Sequence, residues 1–552
     1  MEQRKEQKKE QRVYAAFGRG ARRDWKRAAR KTVFSHYWMA IMVCLVAAFL
    51  GTEFTGSLES LHFTRQKWDV ISNFLASFGR PGAAANSRGV FAIAVNKIAD
   101  GSLQNIVNNT IMSLAGSSEF WQSFGIVVSS LVSMTYWVLV THTFVVILRR
   151  LFMEMRVYEE VPPYRALYLH SARCWGRTSL ALLRVAVQRG LWWLTIIGGA
   201  IKTFSYYLCG FILAENPTMK GGDAIALSRK MMNGHKWECF LLELSFVPWH
   251  LLSLATFGLS SLFYSSAYLS AARCEFYAAV RAQVKAEGEA QALRDTYLFE
   301  KAGAKTLRRA YNDLGRPAEK LPERVYGNRV TRFFGECLGV TLFVNPQDVA
   351  REKIQDREYR LRYMRRCEQG LSYPIRLSPL LQYEHKDHEP ALFTRKYPVT
   401  TLVLLFFLFS IIGWCWEVVL HLLSEGTFVN RGVLHGPWLP IYGTGGVLVL
   451  LTLYKLRDKP WLEFWATVVV CGVVEYFTAY YLETVYDRRW WDYAGYFLNL
   501  HGRICAEGLL LFGVGGMCIV YVVAPILDNL LHHMQQKRSK AICAVLVVLF
   551  LA

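Results

Sequence analysis

The chain has 552 residues, 53% of them hydrophobic, and 64 Lys and Arg against 43 Asp and Glu give a formal charge of +21. Several apolar runs reach about 20 residues, enough for a bilayer core of ~30 Å. A soluble nucleic-acid-binding protein is therefore not what the charge describes: Lys and Arg gather beside the apolar runs, where they hold loops on the cytoplasmic side and meet anionic lipid. Twelve cysteines stand singly with no CxxC, so neither a disulfide framework nor a zinc ribbon is expected. No GxxxxGK[ST] occurs, which excludes ATP binding through a phosphate loop. No cofactor is implied.

Residues 1–31 carry twelve Lys or Arg against four acids and read as a basic cytoplasmic N-terminus of a protein of the plasma membrane. The first apolar run, 34–50, lacks a small-residue cleavage site and reads as a retained span flanked by Trp25, Tyr37 and Trp38. Residues 51–119 are neutral in balance, as on the outer side. A second span over 124–148 stops at Arg149-Arg150, and eight arginines over 149–189 return the chain to the cytoplasm. Gly198 and Gly199 interrupt the next apolar run, 190–214, which is either one bent span or a re-entrant pair. Residues 223–232 place Ala224, Leu227 and Met231 on one face of a short interfacial helix. Residues 240–268 form a fourth span, closing a membrane domain over 32–280.

The segments Glu215-Asn216-Pro217, Ala224-Ile225-Ala226-Leu227-Ser228 and Gly234-His235-Lys236-Trp237, followed by an apolar run, resemble a bacterial family of multi-pass membrane proteins of unknown function. The resemblance covers about 20–285. That family usually has a Pro-Gly pair where this chain has Gly198-Gly199.

Residues 281–396 hold 23 Lys or Arg and no spanning run, and read as a charged cytoplasmic linker. Helix is expected over 286–314 and again from Asn345, a capping residue followed by Pro346. The segment is either a docking surface for a soluble partner or a solvated connection. His385 and His388 stand in a charged loop rather than a metal site.

A second membrane domain over 397–552 holds apolar runs at about 398–423, 437–455, 461–486, 504–526 and 541–552, the last too short to span. Basic residues at Arg395-Lys396, at Lys455, Arg457 and Lys459, and at Lys537, Arg538 and Lys540 mark the inside turns. Two irregular clusters, 430–443 and 490–505, then fall together on the outer side.

Charges in an apolar helix need partners or a wet cavity, since one at the bilayer centre costs ~2.5–3.5 kcal/mol. Glu475 lies eleven residues before Tyr486, ~16 Å into the helix and near mid-bilayer. Glu417 and Glu507 lie close to the outer clusters, within reach of Arg431 or Arg503. Glu417 with His421, and Arg503 with Glu507, are four apart as on a shared helix face. Gly436-Pro437 and Pro440 break the chain where a span begins, and the freed backbone groups suit a cavity. Asp492 and Asn499 complete the lining; Trp490 and Trp491 read also as interfacial anchors. Three readings compete: ion pairs that only lock helices together, a solute site, and acid–base chemistry. No nucleophile motif or metal spacing supports the last.

Gly413-Trp414-x-x-Glu417, Asn430-Arg431-Gly432-x-Leu434-x-Gly436-Pro437-x-x-Pro440-Ile441-Tyr442-Gly443, Glu475-Tyr476, Trp490-Trp491-Asp492-Tyr493 and Asn499-x-x-Gly502-Arg503-Ile504-Cys505 closely resemble the ABC-transporter type IV (CmpB-like) family over about 398–530. Leu511-Phe512-Gly513 departs from its more usual Trp-Gly. The resemblance implies a permease, with a separate ATPase subunit to supply energy. The expectation is thus an all-α polytopic integral membrane protein, two helical membrane domains joined by a basic cytoplasmic segment. Its binding residues would be Glu417, Arg431, Tyr442, Glu475, Asp492, Asn499, Arg503 and Glu507. The alternatives are a membrane scaffold or envelope-assembly factor, and a lipid-modifying enzyme.

Overall fold

The computed structural model describes residues 17, 19–54, 119–162, 165–166, 168–256, 258–288, 292–312, 328–342, 351, 354, 358, 361–379, 393, 395–425, 436–487, 489, 492–493, 499–532 and 536–551. Among them strand is confined to a two-residue parallel ladder, Val340–Thr341 (β1) on Tyr397–Pro398 (β2), and one isolated bridge. Among the described residues five helices are long and apolar enough to cross a membrane: Ile126–Val157, Ile197–Glu215, Lys236–Ala255, Pro460–Val485 and Gly508–Leu531. This is an all-α polytopic membrane protein. Its described residues fall into two compact units, one drawn from Met1–His62, Lys97–Gly315 and Arg362–Lys386, the other from Arg316–Leu361 and Asp387–Ala552.

The N-terminal unit opens with α1 (Arg19–Ser35), which buries Ala21, Trp25, Ala29 and Val33 at four-residue spacing and exposes Arg23, Arg27 and Lys31. A 97° bend at His36 separates it from the apolar α2 (Tyr37–Phe49). The apolar helix therefore starts at Tyr37 rather than at residue 34, because a helix with a cation on every turn lies along an interface instead of entering it. Next come α3 (Glu119–Tyr136), a wide π turn at Trp137–Thr141, and α4 (His142–Val157), one continuous rod. It does not stop at Arg149-Arg150. Both guanidiniums are buried and neutralised inside the unit, so the helix runs on for two further turns.

After α5 (Trp175–Trp193) the chain turns at 194–196 and α6 (Ile197–Ser205) packs back against it. Glycine is required there: a Cβ at Gly199 would sit 2.7–2.9 Å from atoms of Trp193. Cys209–Glu215 (α7) completes the candidate span, and α8 (Gly221–Met231) is the expected amphipathic helix, with Ala224 and Met231 buried. The run 240–268 is not one helix. It divides into α9 (Lys236–Leu244), α10 (Val247–Ala255), whose first turn holds Pro248, and a second π turn at Ser261–Ser265 that leads into α11 (Ser266–Ala286). Helix does not continue over 286–314: beyond Ala286 the described chain makes a 3-10 turn, Thr296–Leu298, and a short α12, Ala304–Ala310. Leu293, Leu298 and Tyr373 enter the core of this unit, so part of the charged segment is packed rather than solvated. The expected helix start at Asn345, and His385 and His388, lie outside the described residues.

The C-terminal unit contains α13 (Arg329–Cys337), the β1–β2 ladder and α14 (Val399–Glu425). These are followed by α15 (Pro440–Thr452) and α16 (Pro460–Tyr486). A final stretch has α17 (Ala506–Cys518), a third π turn at Ile519–Val523, α18 (Ala524–His532) and α19 (Gln536–Leu551). Glycines bring the helices together, as small residues do in membranes. Gly443 lies against Phe406 and Ser410 and Gly446 against Phe409, closing α15 on α14; Gly513 lies against Phe464 and Gly516 against Thr467, closing α17 on α16. Arg457, expected in an exposed basic turn, is instead 1% exposed. Its guanidinium donates to the carbonyls of Phe393 (3.0 Å), Arg395 (3.0 Å) and Leu450 (2.6 Å), and burial lowers its pKa.

Candidate functional site

Proline ends the sequence run that precedes α15 and sets its start. Pro440 occupies the first turn, where no intrahelical N–H is needed. The N–H of Leu439 donates to the Ser410 carbonyl at 3.0 Å, so the broken backbone is satisfied by protein in the middle of α14. Tyr442, in the first turn of α15, lies across Gly413, where any Cβ would collide with its ring. One turn further along α14 its hydroxyl donates to Glu417 Oε1 at 2.5 Å. The spacing Gly413…Glu417 thus makes room for a phenol and then gives it an acceptor. Eight residues of α14 continue past Glu417 to Glu425, or about 12 Å at 1.5 Å per residue, so α15 begins well inside the helix pair.

Glu475 is buried on α16 at 9% exposure. The Tyr493 hydroxyl donates to its Oε1 at 3.1 Å, while Oε2 has no hydrogen-bond partner among the described residues. Glu475 and Tyr493 also lie within electrostatic reach of the Tyr442 hydroxyl, which joins the two acid–phenol pairs. A tight turn holds Tyr493 in place. Its N–H donates to the Gly502 carbonyl (2.7 Å), the Gly502 N–H donates to Asn499 Oδ1 (3.2 Å), and Leu500 bridges Ile504. His501 and Gly502 adopt positive φ, 55° and 68°, to close that turn.

A second group is more exposed. Tyr476, Tyr480 and Glu483 recur at helical spacing on α16 and meet Arg503, which donates to Glu483 Oε2 at 2.9 and 3.1 Å and to the Tyr476 hydroxyl at 3.1 Å. Hydrogen bonding to Glu483 raises the Arg503 pKa further above its ordinary value. Arg489 donates to Glu483 Oε1 at 2.8 Å and stands 3.7 Å from Asp492. The Tyr476 hydroxyl also meets His501 Nδ1 at 2.9 Å.

The structure therefore places Glu417 with Tyr442 and Glu475 with Tyr493, and links Asp492 to Arg503 through Arg489 and Glu483. Asn499 shapes the turn. Arg503 and Glu507 do not share a helix face as expected, because α17 starts only at Ala506 and Arg503 lies in the turn before it. The side chain of Glu507, and Arg431, Trp490 and Trp491, lie outside the described residues. Tyr493, Tyr476 and Arg489 were missed as site residues by sequence reasoning; the tyrosines flanking Glu475 and Asp492 were the available signal.

Sequence reasoning also missed the charge buried in the N-terminal unit. Arg150 donates to Glu154 (2.9 Å) and Asp295 (3.1 Å), Arg165 donates to Glu154, and the Tyr373 hydroxyl donates to Asp295 (2.6 Å). Burial raises the Tyr373 pKa well above its ordinary value, which keeps it a donor. Arg281 and Tyr277 bind Glu215, and Arg273 bridges Glu243 and Glu53, with Arg149 also on Glu53. Two arginines face two acids in the first and third of these networks, and one faces one in the second, so each is locally neutral.

Comparison with known families now bears on these geometries. Residues 404–552 match the family model described as Putative ABC-transporter type IV. Residues 29–284 match the model described as Protein of unknown function (DUF975). Both resemblances read from the motifs are thereby borne out. No curated protein and no solved structure matches the chain. Among the described residues no group of three or more His, Cys, Asp or Glu is placed to hold a metal ion.

Proposed function

We propose that this protein is a permease-type component of a membrane transporter, and that its C-terminal half carries the solute site. The observation that carries the reading is the convergence of Glu417–Tyr442 and Glu475–Tyr493 where α15 begins partway along α14. Helices broken at depth, with their backbone ends turned to protein or cavity, are how transporters build midplane sites. The first turn of α15 also brings the positive end of its dipole to the Glu417 carboxylate. Arg431, Asp492, Asn499, Arg503 and Glu507 would complete an outer-facing polar cavity. The protein would sit in the plasma membrane with its N-terminus in the cytoplasm, contact anionic lipid through its basic segments, and dock a separate ATPase on a cytoplasmic surface.

Co-purification of the full chain tests the partner. An ATPase recovered in fixed ratio supports the permease, and its repeated absence counts against it. Arg503→Ala tests the site. Loss of solute binding with an unchanged thermal midpoint supports the cavity. A lowered midpoint with no solute effect favours the scaffold reading, to which the mutually satisfied chain Asp492–Arg489–Glu483–Arg503 lends weight.

A further inference from the structure

The buried face of α16 carries Glu463, Thr467, Cys471 and Glu475, each four residues after the last, which places them in one stripe along the helix. From Glu463 to Glu475 the stripe covers twelve residues, about 18 Å of a ~30 Å bilayer core. Glu463 is 0% exposed and Glu475 9% exposed. Each uses one carboxylate oxygen: Thr467 donates to Glu463 Oε1 at 3.1 Å, and Tyr493 donates to Glu475 Oε1 at 3.1 Å. Each leaves Oε2 buried with no hydrogen-bond partner among the described residues. The Cys471 thiol lies between them, within electrostatic reach of both carboxylates.

Among the described residues the groups facing these acids are few. Tyr493 from the turn before α17 and Tyr442 from α15, with Glu417 beyond it, surround Glu475. Leu509 of α17, packed at Gly472, adds only apolar surface. Arg457 from the preceding turn and Tyr521 from the third π turn lie within electrostatic reach of Glu463. Arg457 forms no ion pair with Glu463 among the described residues and spends its donors on backbone carbonyls. An ionised carboxylate with an unbonded oxygen in apolar surroundings is costly, and a proton on that oxygen removes the cost.

We propose that the α16 stripe is a proton path, in which Glu475 and Glu463 each take up one proton from water on Oε2 and release it again. Charge balances at each station, since the carboxylate becomes a neutral acid and Oε1 keeps its hydroxyl donor. Intramembrane acids on a shared face are the usual elements of such relays. Its purpose rests on the permease reading: the proton would be the ion coupled to solute movement. Its existence does not.

The test is modification of the full chain, reconstituted in lipid vesicles, by dicyclohexylcarbodiimide, which adds to a protonated carboxyl in an apolar setting. The expected result is a mass adduct at Glu475 that falls at least tenfold as pH rises and is absent in Glu475→Gln. Vesicles under an imposed membrane potential should acidify, and Glu475→Gln and Glu463→Gln should each cut that flux at least tenfold with the thermal midpoint retained. No adduct at Glu475 at any pH, or a flux equal to protein-free vesicles, overturns the proposal. An adduct and flux from a chain that binds no solute and co-purifies with no ATPase would sink the permease reading alone; solute binding without adduct or flux would sink the proton path alone.

Discussion

In the N-terminal unit the acids of the three buried networks meet guanidiniums: Glu154 and Asp295 meet Arg150, Glu215 meets Arg281, and Glu243 and Glu53 meet Arg273. In the C-terminal unit Asp528 also meets a guanidinium, that of Arg395, but three acids on α14 and α16 meet hydroxyls instead, Tyr442 for Glu417, Tyr493 for Glu475 and Thr467 for Glu463. The contrast separates two uses of buried charge. A carboxylate held bidentately by arginine is fixed in its ionised form and serves the fold. A carboxylate held by a hydroxyl keeps an acceptor bond in either protonation state and stays available for chemistry.

Mutations sharpen that contrast in order of expected size. Arg150→Ala takes the paired guanidinium from Asp295, leaves Glu154 to Arg165, and should cost ~3–5 kcal/mol of stability, measured by denaturant or thermal unfolding in detergent. Arg150→Lys should restore only part, because an ammonium lacks the fork that reaches Glu154 and Asp295 at once. If Glu475→Ala destabilised the protein as much, the contrast would fail. Arg457→Ala removes the donor from three carbonyls and should cost about 3 kcal/mol by the same assay. Gly413→Ala drives a methyl into the Tyr442 ring and should cost ~1–3 kcal/mol, recovered largely in the double variant Gly413→Ala, Tyr442→Ala. Failure of the second change to recover stability would show that Tyr442 is not what requires the glycine. Smallest of all, Arg23→Gln, Arg27→Gln and Lys31→Gln should leave the thermal midpoint unchanged. Each should weaken retention of anionic lipid by about 1 kcal/mol, read by mass spectrometry of bound lipid against a zwitterionic control.

Periodicity and charge made the membrane helices legible. The runs 398–423 and 461–486 became α14 and α16 with ends shifted by at most two residues, since long apolar segments leave helix as the backbone's way of satisfying itself in lipid. The same signals misplaced Arg149, Arg150 and Arg457. A local window counts a guanidinium as an end marker, and it sees neither Asp295 and Tyr373 far along the chain nor the carbonyls of Phe393, Arg395 and Leu450. At the site, depth arguments found Glu417 and Glu475, but assumed that Arg503 continued α17. The partner Glu483 lies twenty residues earlier, and only the turn at His501 and Gly502 brings the two together.

The wide turn at Trp137–Thr141 sets the rotational phase of everything after it. A π turn holds one residue more than an α turn, and one residue is worth about 100° around the axis. Losing a single residue from that pentapeptide would let α3 and α4 join with regular hydrogen bonds. It would also swing Arg149, Arg150 and Glu154 round by more than a quarter of a revolution, pointing them away from Glu53, Asp295 and Arg165. The stretch behaves as a key cut to one depth: lengthened or shortened by one step, it still slides in but no longer turns the lock.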